Sequence, residues 1–386
     1  MESRLGHRML PIDPPTKALD HNSDQAPIVW LLIDDRPGHR TQVVGLARWL
    51  GWPAVEKRLV FNWLNRLPNP LLGAALLSLT LAKSDPLTAP YPDLVIGMGR
   101  RVVPIACWIK RQSGGRSRVV LFGRKAANDS RAADLSVACA HFQLLPHDRM
   151  VELVVPPTQV DGIALADAHA AHGDPLAGLA RPRVLLLAGG PTVQHLFDAA
   201  LAGQMAGEVA AAAHAQNGSL AIVTSRRTPA AAVAAMRLAA PEAHLHKWQA
   251  DRRNNPYLAY LAAADLIVVT GESESMLAEA AATARPLTIY PLPPKPESAK
   301  QRLAGRLRRG VGGGGSWAAV CRALLAGGWI TPPRDLSLMH SLMVARGQAG
   351  LFADGLNTVA PRAPLEHRQL TDRLLALLGR LPETAS

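Results

Sequence analysis

The stretch from Asn254 to Pro293 constrains the fold of this chain more than any other, because it holds a complete helix–strand–loop–helix–strand unit. Pro256 suits the first position of a helix, with Asn255 as its cap, and Leu258, Leu261 and Ala262 then share one face. Leu266-Ile267-Val268-Val269 is a short apolar run of the kind buried on both faces of a parallel sheet. The loop Thr270-Gly271-Glu272-Ser273 follows, with Ser273 placed to cap a helix running to about Ala282. Thr283 to Arg285 ends that helix, and Pro286 to Tyr290 reads as the next parallel strand.

A loop where a parallel strand hands over to a helix lies on the carboxyl edge of the sheet, where ligands bind in open α/β folds. Thr270, Glu272, Ser273 and Ser275 bring hydroxyls and helix-start amides that can hold a diphosphate. Glu279 lies one turn beyond Ser275 on the same face and can accept hydrogen bonds from a ribose. An ordinary strand–helix turn, with Ser273 only a cap and Glu279 solvated, fits the same residues.

Other strand ends carry similar chemistry. Ile28 to Ile33 is the first buried strand, followed by Asp34-Asp35-Arg36-Pro37-Gly38-His39 and a helix with Val43, Leu46, Ala47 and Leu50 on its apolar face. Gly51 stops that helix. Asp34, Asp35 or His39 can serve as general base on an acceptor hydroxyl, and Gly38 allows close backbone approach. A solvated turn with internal Asp–Arg pairing is the alternative. Asp93 to Ile96 is a strand ending at Gly97, Gly99, Arg100 and Arg101, an anion-binding turn that lacks the rest of a dinucleotide fingerprint. Val119 to Phe122, Leu135 to Ala138 and Leu153 to Val155 continue the sheet. His141, His147, Asp148 and Arg149 fit no metal-ligand spacing and read as loop residues.

In the second half, Arg183 to Leu187 leads to Gly189-Gly190, whose amides can face a cleft or simply form a tight turn. Leu220 to Val223 leads to Thr224-Ser225-Arg226-Arg227-Thr228-Pro229, where two arginines and three hydroxyls at a helix start suit a phosphate. Surface arginines beside a Thr cap are the plainer reading. Asp93-Leu94-Val95-Ile96 with its Gly/Arg loop echoes Asp265-Leu266-Ile267-Val268 with its Gly/Ser loop, which implies two similar α/β halves in tandem.

The stretch from 254 to 293 resembles the donor-site half of GT-B glycosyltransferases such as the lipid-intermediate N-acetylglucosaminyltransferase. With WLLIDDRPGHRTQVVGLARWLG at 30–51, DLVIGMGRR at 93–101, RPRVLLLAGGP at 181–191 and VTSRRTP at 223–229, it resembles a narrower group, the mitochondrial-fission "Elongated Mitochondria" (ELM) family and its bacterial relatives. These blocks cover most of residues 27 to 295. The resemblance implies an α/β, GT-B-like fold of two Rossmann-like domains facing a cleft. It implies a nucleotide-diphosphate sugar as donor substrate, with no cofactor and no metal. The donor site would then be Gly189, Gly190, Ser225, Arg226, Arg227, Thr270, Glu272, Ser273 and Glu279. Arg226 or Arg227 would neutralise the leaving diphosphate, and Asp34, Asp35 or His39 would act as base across the cleft. The Arg-Pro-aromatic element that the family carries beyond Pro294 is absent here. The same resemblance implies a second reading, a non-catalytic adaptor on a membrane surface like the plant members that recruit a fission GTPase.

A chain of 386 residues suits two domains, and 48% hydrophobic against 19% charged residues excludes wholesale disorder. The boundaries expected are a disordered lead at 1–26, an N-terminal domain at 27–155, a linker at 156–181, a nucleotide-sugar-binding domain at 182–345 and a C-terminal segment at 346–386. A helix at 364–380 in that segment, with Leu370, Leu374, Leu375 and Leu378 on one face, would pack back on the first domain. The net charge of +12 favours an anionic partner, a phosphate ligand or an anionic membrane surface. No aromatic-interleaved basic run supports nucleic acid. Cys107, Cys139 and Cys321 form no disulfide framework or metal spacing, so a reducing cytoplasm is expected, with peripheral contact at the inner face of the cell membrane. No stretch supplies the roughly 20 apolar residues that span a bilayer. FNWLNRLPNPLLGAALLSLTLA at 61–82 reads as a core helix with a Pro-containing entry, or as a membrane-surface patch flanked by Lys57, Arg58, Arg66 and Lys83. Residues 295–316, basic and then Gly-rich, read as a flexible loop.

Overall fold

Short apolar runs, each buried on both faces, set the architecture, because such strands are stable only when helices cover both sides of a parallel sheet. The computed structural model describes residues 27–124, 132–251, 254–326, 332, 334–362 and 365–379; the expected lead at 1–26 lies outside them. In the first half the strands are β1 (Val29–Ile33), β2 (Ala54–Arg58), β3 (Leu94–Met98), β4 (Arg118–Phe122), β5 (Leu135–Cys139) and β6 (Met150–Leu153). They form one six-stranded sheet in the order β2-β1-β3-β4-β5-β6. In the second half they are β7 (Arg183–Ala188), β8 (Ser219–Thr224), β9 (His244–His246), β10 (Leu266–Thr270), β11 (Leu287–Tyr290) and β12 (Gly350–Leu351). The second six-stranded sheet has the order β12-β11-β10-β7-β8-β9. Every pairing in both sheets is parallel.

The helices fall between the strands. α1 (Pro37–Leu50), α2 (Asn69–Leu72) and α3 (Val103–Gln112) belong to the first half, and α4 (Gly162–His172) lies between the sheets in sequence. α5 (Ala199–His214), α6 (Ala230–Ala239), α7 (Tyr257–Ala263), α8 (Glu274–Ala281), α9 (Ala299–Gly310), α10 (Gly315–Ala326) and α11 (Leu336–Ala345) follow, with α12 (Leu365–Leu377) last. Val43 and Leu46 of α1 cover one face of the first sheet together with Leu370, Leu374 and Leu375 of α12, so the last helix returns to the first core. Ile105 and Ile109 of α3 cover the other face. In the second sheet α7, α8 and α11 pack on one face and α5 and α6 on the other. The molecule is therefore an α/β protein of two Rossmann-like halves, the GT-B-like arrangement.

The echo between the halves has a structural basis. Asp93, just before β3, accepts the Ile28 amide at 2.9 Å, and Asp265, just before β10, accepts the Arg183 amide at 2.8 Å. Each carboxylate thus ties the start of a central strand to its neighbour. Gly51 ends α1 in the left-handed conformation, φ 65°, that favours glycine.

Two segments and the edge strands depart from the sequence reading. Residues 61–82 hold no core helix. They form a 3-10 turn at Trp63–Arg66, the four-residue α2 and loops, broken by Pro68, Pro70 and Gly73. Trp63 and Leu71 stay 73% and 72% exposed, and Leu77 and Leu81 are exposed with them. The basic stretch after Lys295 forms helix α9, nucleated by a capping box between Ser298 and Gln301. Edge strands β2, β9 and β12 escape the pattern because they are polar or very short, lacking the apolar run that marks a central strand.

Candidate functional site

Strand order locates the site. In the first sheet β1 is flanked by β2 and β3, and in the second β7 is flanked by β8 and β10, so the direction of winding reverses at β1/β3 and at β7/β10. Crevices open at the carboxyl ends of such strand pairs. The loops there are Asp34–His39 and Gly99–Arg101 in the first half, and Gly189–Gly190 and Thr270–Ser273 in the second.

At the first switch point Asp34 is buried and His39 packs beside it, with Nδ1 2.9 Å from Asp34 Oδ2. Arg101 donates to the same oxygen at 2.9 Å, and the Arg36 amide donates to Oδ1 at 3.1 Å. Burial opposes ionisation of Asp34, but the His39 hydrogen bond and charge, the Arg36 amide and Arg101 outweigh it and hold the carboxyl below its ordinary value. Asp34 is therefore a poor base. It is well placed to fix His39, accepting a hydrogen bond from Nδ1–H and leaving Nε2 as acceptor. Asp35 is solvent-facing, its side chain 75% exposed, and pairs with Arg101. Gly99 has φ 84°, and a Cβ there would lie 2.8 Å from His39 Cε1, so a side chain at 99 would displace the imidazole. Gly97 plays a packing role against Val102, and Gly38 is exposed with open space around it. Arg100 turns away. It donates to the Leu67 carbonyl at 2.6 Å, to Asn69 Oδ1 at 3.3 Å and to the Asn65 carbonyl, bracing the exposed apolar segment. The cation at the first switch point is Arg101, whose partner carboxylates lie far from it in sequence and so leave no local motif.

At the second switch point the paired glycines serve an internal anion. The Gly190 amide donates to Glu272 Oε1 and the Gly189 amide to Thr270 Oγ1, both at 2.9 Å. A Cβ on Gly189 would sit 1.8 Å from Glu272 Oε1, and one on Gly190 would sit 2.3 Å from the Arg227 carbonyl oxygen. Of the two sequence readings, amides facing a cleft or a tight turn, the amides are taken up internally, because Thr270 and Glu272 fill the turn. Burial raises the Glu272 pKa, only partly offset by the Gly190 amide, Thr270 and Arg227. Its Oε2 is buried without a hydrogen bond among the described residues. Arg227 reaches Glu272 Oε1 at 3.1 Å and is thereby committed. Ser225 and Thr228 close a turn, the Ser225 amide donating to Thr228 Oγ1 at 2.9 Å, while Thr228 donates to the Gly189 carbonyl at 2.5 Å. Arg226 is exposed just before α6 and has no partner among the described residues.

Ser273 is the N-cap of α8, but its hydroxyl makes no capping bond. Ser275 is exposed on the first turn. Glu279 lies on the same face deeper along α8, where Tyr257 donates to its Oε2 at 2.8 Å. Burial raises the Glu279 pKa to about 7 despite that bond. Burial, and then the Glu279 charge, raise the Tyr257 hydroxyl well above its usual range, so it stays a donor. His340 of α11 lies with Nε2 2.8 Å from the Gly271 carbonyl and props the loop from outside the stretch that announced it.

The two carboxyl edges meet. His141, in the 3-10 turn Ala140–Phe142 after β5, has Nε2 3.3 Å from Glu274 Oε2 at the start of α8. Arg334 reaches the same Glu274 oxygen at 3.1 Å, the Asp335 amide donates to the His141 carbonyl at 2.9 Å, and Arg308 donates to the Gln143 carbonyl at 2.9 Å. His141, read from the sequence as a loop residue, lies in this short turn and is fully buried between the halves. An open hollow of about 460 Å³ lined by Leu201, Glu208, Tyr290 and Phe352 lies beside the end of β11 and contains none of the candidate residues.

A protein-family model, Mitochondrial fission ELM1, matches residues 37–309. The Mitochondrial fission protein ELM1 of Arabidopsis thaliana is 30% identical over 145 residues, 37% of this chain, and the match spans only 34% of the plant protein's length. Among solved structures, the chain is similar to the S. aureus MnaA–UDP co-structure at 10% identity and TM-score 0.40, covering 93% of this chain and 99% of that one. It is similar to the UDP-GlcNAc 2-epimerase from Methanocaldococcus jannaschii at 11% identity and TM-score 0.42, covering 93% and 94%. It is also similar to Phytolacca americana UGT2 complexed with UDP-2fluoro-glucose and pterostilbene at 13% identity and TM-score 0.39, covering 92% and 100%.

Proposed function

The chain belongs to the mitochondrial fission ELM1 family, and we propose that it binds a nucleotide-diphosphate sugar between its two Rossmann-like halves and transfers the sugar to an acceptor hydroxyl. The observation that carries this reading is the His39–Asp34 pair at one switch point, set against the unpartnered Arg226 before α6 and the half-buried Glu279 within α8 at the other. The base is His39, oriented by Asp34. Its Nε2 takes the acceptor O–H proton as the oxygen bonds to the anomeric carbon and the bond from that carbon to the diphosphate breaks. The charge that develops on the leaving diphosphate is met by Arg226 and by the amides opening α6 and α8. Arg227 stays with Glu272 and keeps the loop in shape. Glu279 accepts the ribose hydroxyls on the oxygen that Tyr257 leaves open.

His39→Ala separates chemistry from binding. Donor affinity should stay within about twofold, while transfer to an acceptor falls by roughly 10²–10⁴-fold, the usual contribution of a general base. A variant that binds and turns over like wild type would remove His39 from the role.

One observation favours the second reading, an adaptor on a membrane surface. Trp63, Leu71, Leu77 and Leu81 are exposed together on the first half, braced by Arg100. No helix among the described residues is long and apolar enough to cross a membrane, so contact there would be superficial. The same patch serves the transferase reading if the acceptor is membrane-associated.

A further inference from the structure

Cys139, His141 and Glu274 come from opposite halves of the chain and converge where the sheets meet. Cys139 ends β5, His141 lies two residues on, and Glu274 opens α8. One candidate ligand atom from each lies within 4.8 Å of the others. Cys139 is 1% exposed, His141 0%, and the Glu274 side chain 11%. Neither ring nitrogen of His141 has a hydrogen bond among the described residues, although Nε2 is 3.3 Å from Glu274. A fully buried imidazole with Nδ1 unmet and only a carboxylate 3.3 Å from Nε2 is costly, and such groups in native proteins have a reason to be there. Cys139 is a free thiol. Arg334 engages Glu274 Oε2, which leaves Oε1 for another partner.

We propose that Cys139, His141 and Glu274 bind one divalent cation of borderline softness, Zn²⁺ in the first instance, which pins the two halves together where their carboxyl edges meet. A thiolate, an imidazole and a carboxylate are the donors Zn²⁺ takes, whereas Mg²⁺ and Ca²⁺ call for oxygen alone. Bonds of about 2.0–2.3 Å require the three donors to draw in slightly around the ion. Cys139 releases its proton to solvent on binding, His141 binds through a neutral nitrogen, and the fourth position is left to water. The site shares the opening of α8 with the donor contacts proposed above, but its test reads uptake of the metal alone and so does not depend on nucleotide binding.

The full chain, stripped with a chelator, is titrated with Zn²⁺ and with Co²⁺. One equivalent of Zn²⁺ should bind and raise the unfolding temperature, and bound Co²⁺ should show thiolate-to-cobalt charge-transfer absorption. Cys139→Ala should abolish that absorption, and His141→Ala and Glu274→Gln should weaken Zn²⁺ binding by at least the ~10–100-fold that loss of even an outer-shell partner costs. Circular dichroism checks that each variant is folded. The wild type alone can overturn the proposal, by failing to bind Zn²⁺ or by binding Co²⁺ without a thiolate band. Retention of the band in Cys139→Ala, or uptake of several equivalents unaffected by all three substitutions, would overturn it as well.

Discussion

Arg226 and Arg227 are neighbours in sequence and opposites in circumstance. Arg227 is spent on Glu272, while Arg226 stands exposed before α6. Arg226→Ala should therefore weaken nucleotide-diphosphate binding by roughly tenfold or more, the loss of one charge-assisted contact, with little change in stability. Arg227→Ala should instead cost about 1–3 kcal/mol of stability in urea denaturation, because Glu272 keeps its burial and loses its cation. Equal affinity losses with unchanged stability in both would contradict the assignment. Glu279 carries a second test. Its folded pKa is raised by burial to about 7, above its unfolded value near 4.5, so the native state holds the proton more tightly between those values. Stability from this group is full below about pH 4.5 and is lost as pH rises to about 7. Glu279→Gln, which still accepts from Tyr257, should thus melt higher than wild type at pH 8 and level with it at pH 4. The same variant should lose more affinity for ribonucleotides than for their 2′-deoxy analogues; equal losses would remove the ribose role. At this scale the sequence lists residue types, and it cannot say which are already partnered. Nothing local to Gly189-Gly190 reveals that Glu272 occupies their amides, and nothing near Arg100 reveals that Asn65, Leu67 and Asn69 consume it.

Elements were legible where burial is complete. The runs that became β1, β3, β4, β7, β8, β10 and β11 are apolar on both faces and could hardly be anything else. β2, with the sequence Ala-Val-Glu-Lys-Arg, lies at an edge and hides among polar residues. α9 was masked by its own charge, since Arg302, Arg306, Arg308 and Arg309 resemble a loop until Ser298 and Gln301 are seen to cap it. The 61–82 segment misled in the other direction: its apolar content suggests a core helix, and its prolines and glycine deny one. What results is a run of exposed apolar residues with Arg66 and Lys83 beside them in sequence, on a chain of net charge +12. Such a surface should float with anionic vesicles at low ionic strength and be released as salt rises past a few hundred millimolar, where the Debye length drops below about 8 Å. Trp63→Ser with Leu71→Ser should abolish flotation without loss of fold. Failure of the wild type to float at low salt would reject a membrane role for this patch.

The whole molecule was legible as two tandem α/β halves because the Asp-led strands at 93 and 265 repeat, and because several family blocks occur in order. The join between them was not. His141, Glu274, Arg308 and Arg334 meet only in three dimensions, and no spacing rule connects residues from different halves. The carboxyl edges of the two parallel sheets meet at His141 and Glu274, and a nucleotide-diphosphate sugar is proposed to bind between the halves. Isothermal calorimetry of the full chain against a panel of nucleotides, nucleoside diphosphates and nucleotide-diphosphate sugars tests that claim most directly. The account predicts that at least one nucleotide-diphosphate sugar binds at one equivalent, more tightly than its nucleoside monophosphate, and that Arg226→Ala lowers that affinity about tenfold. Silence across the whole panel, or binding that Arg226→Ala and Glu279→Gln both leave untouched, would contradict it.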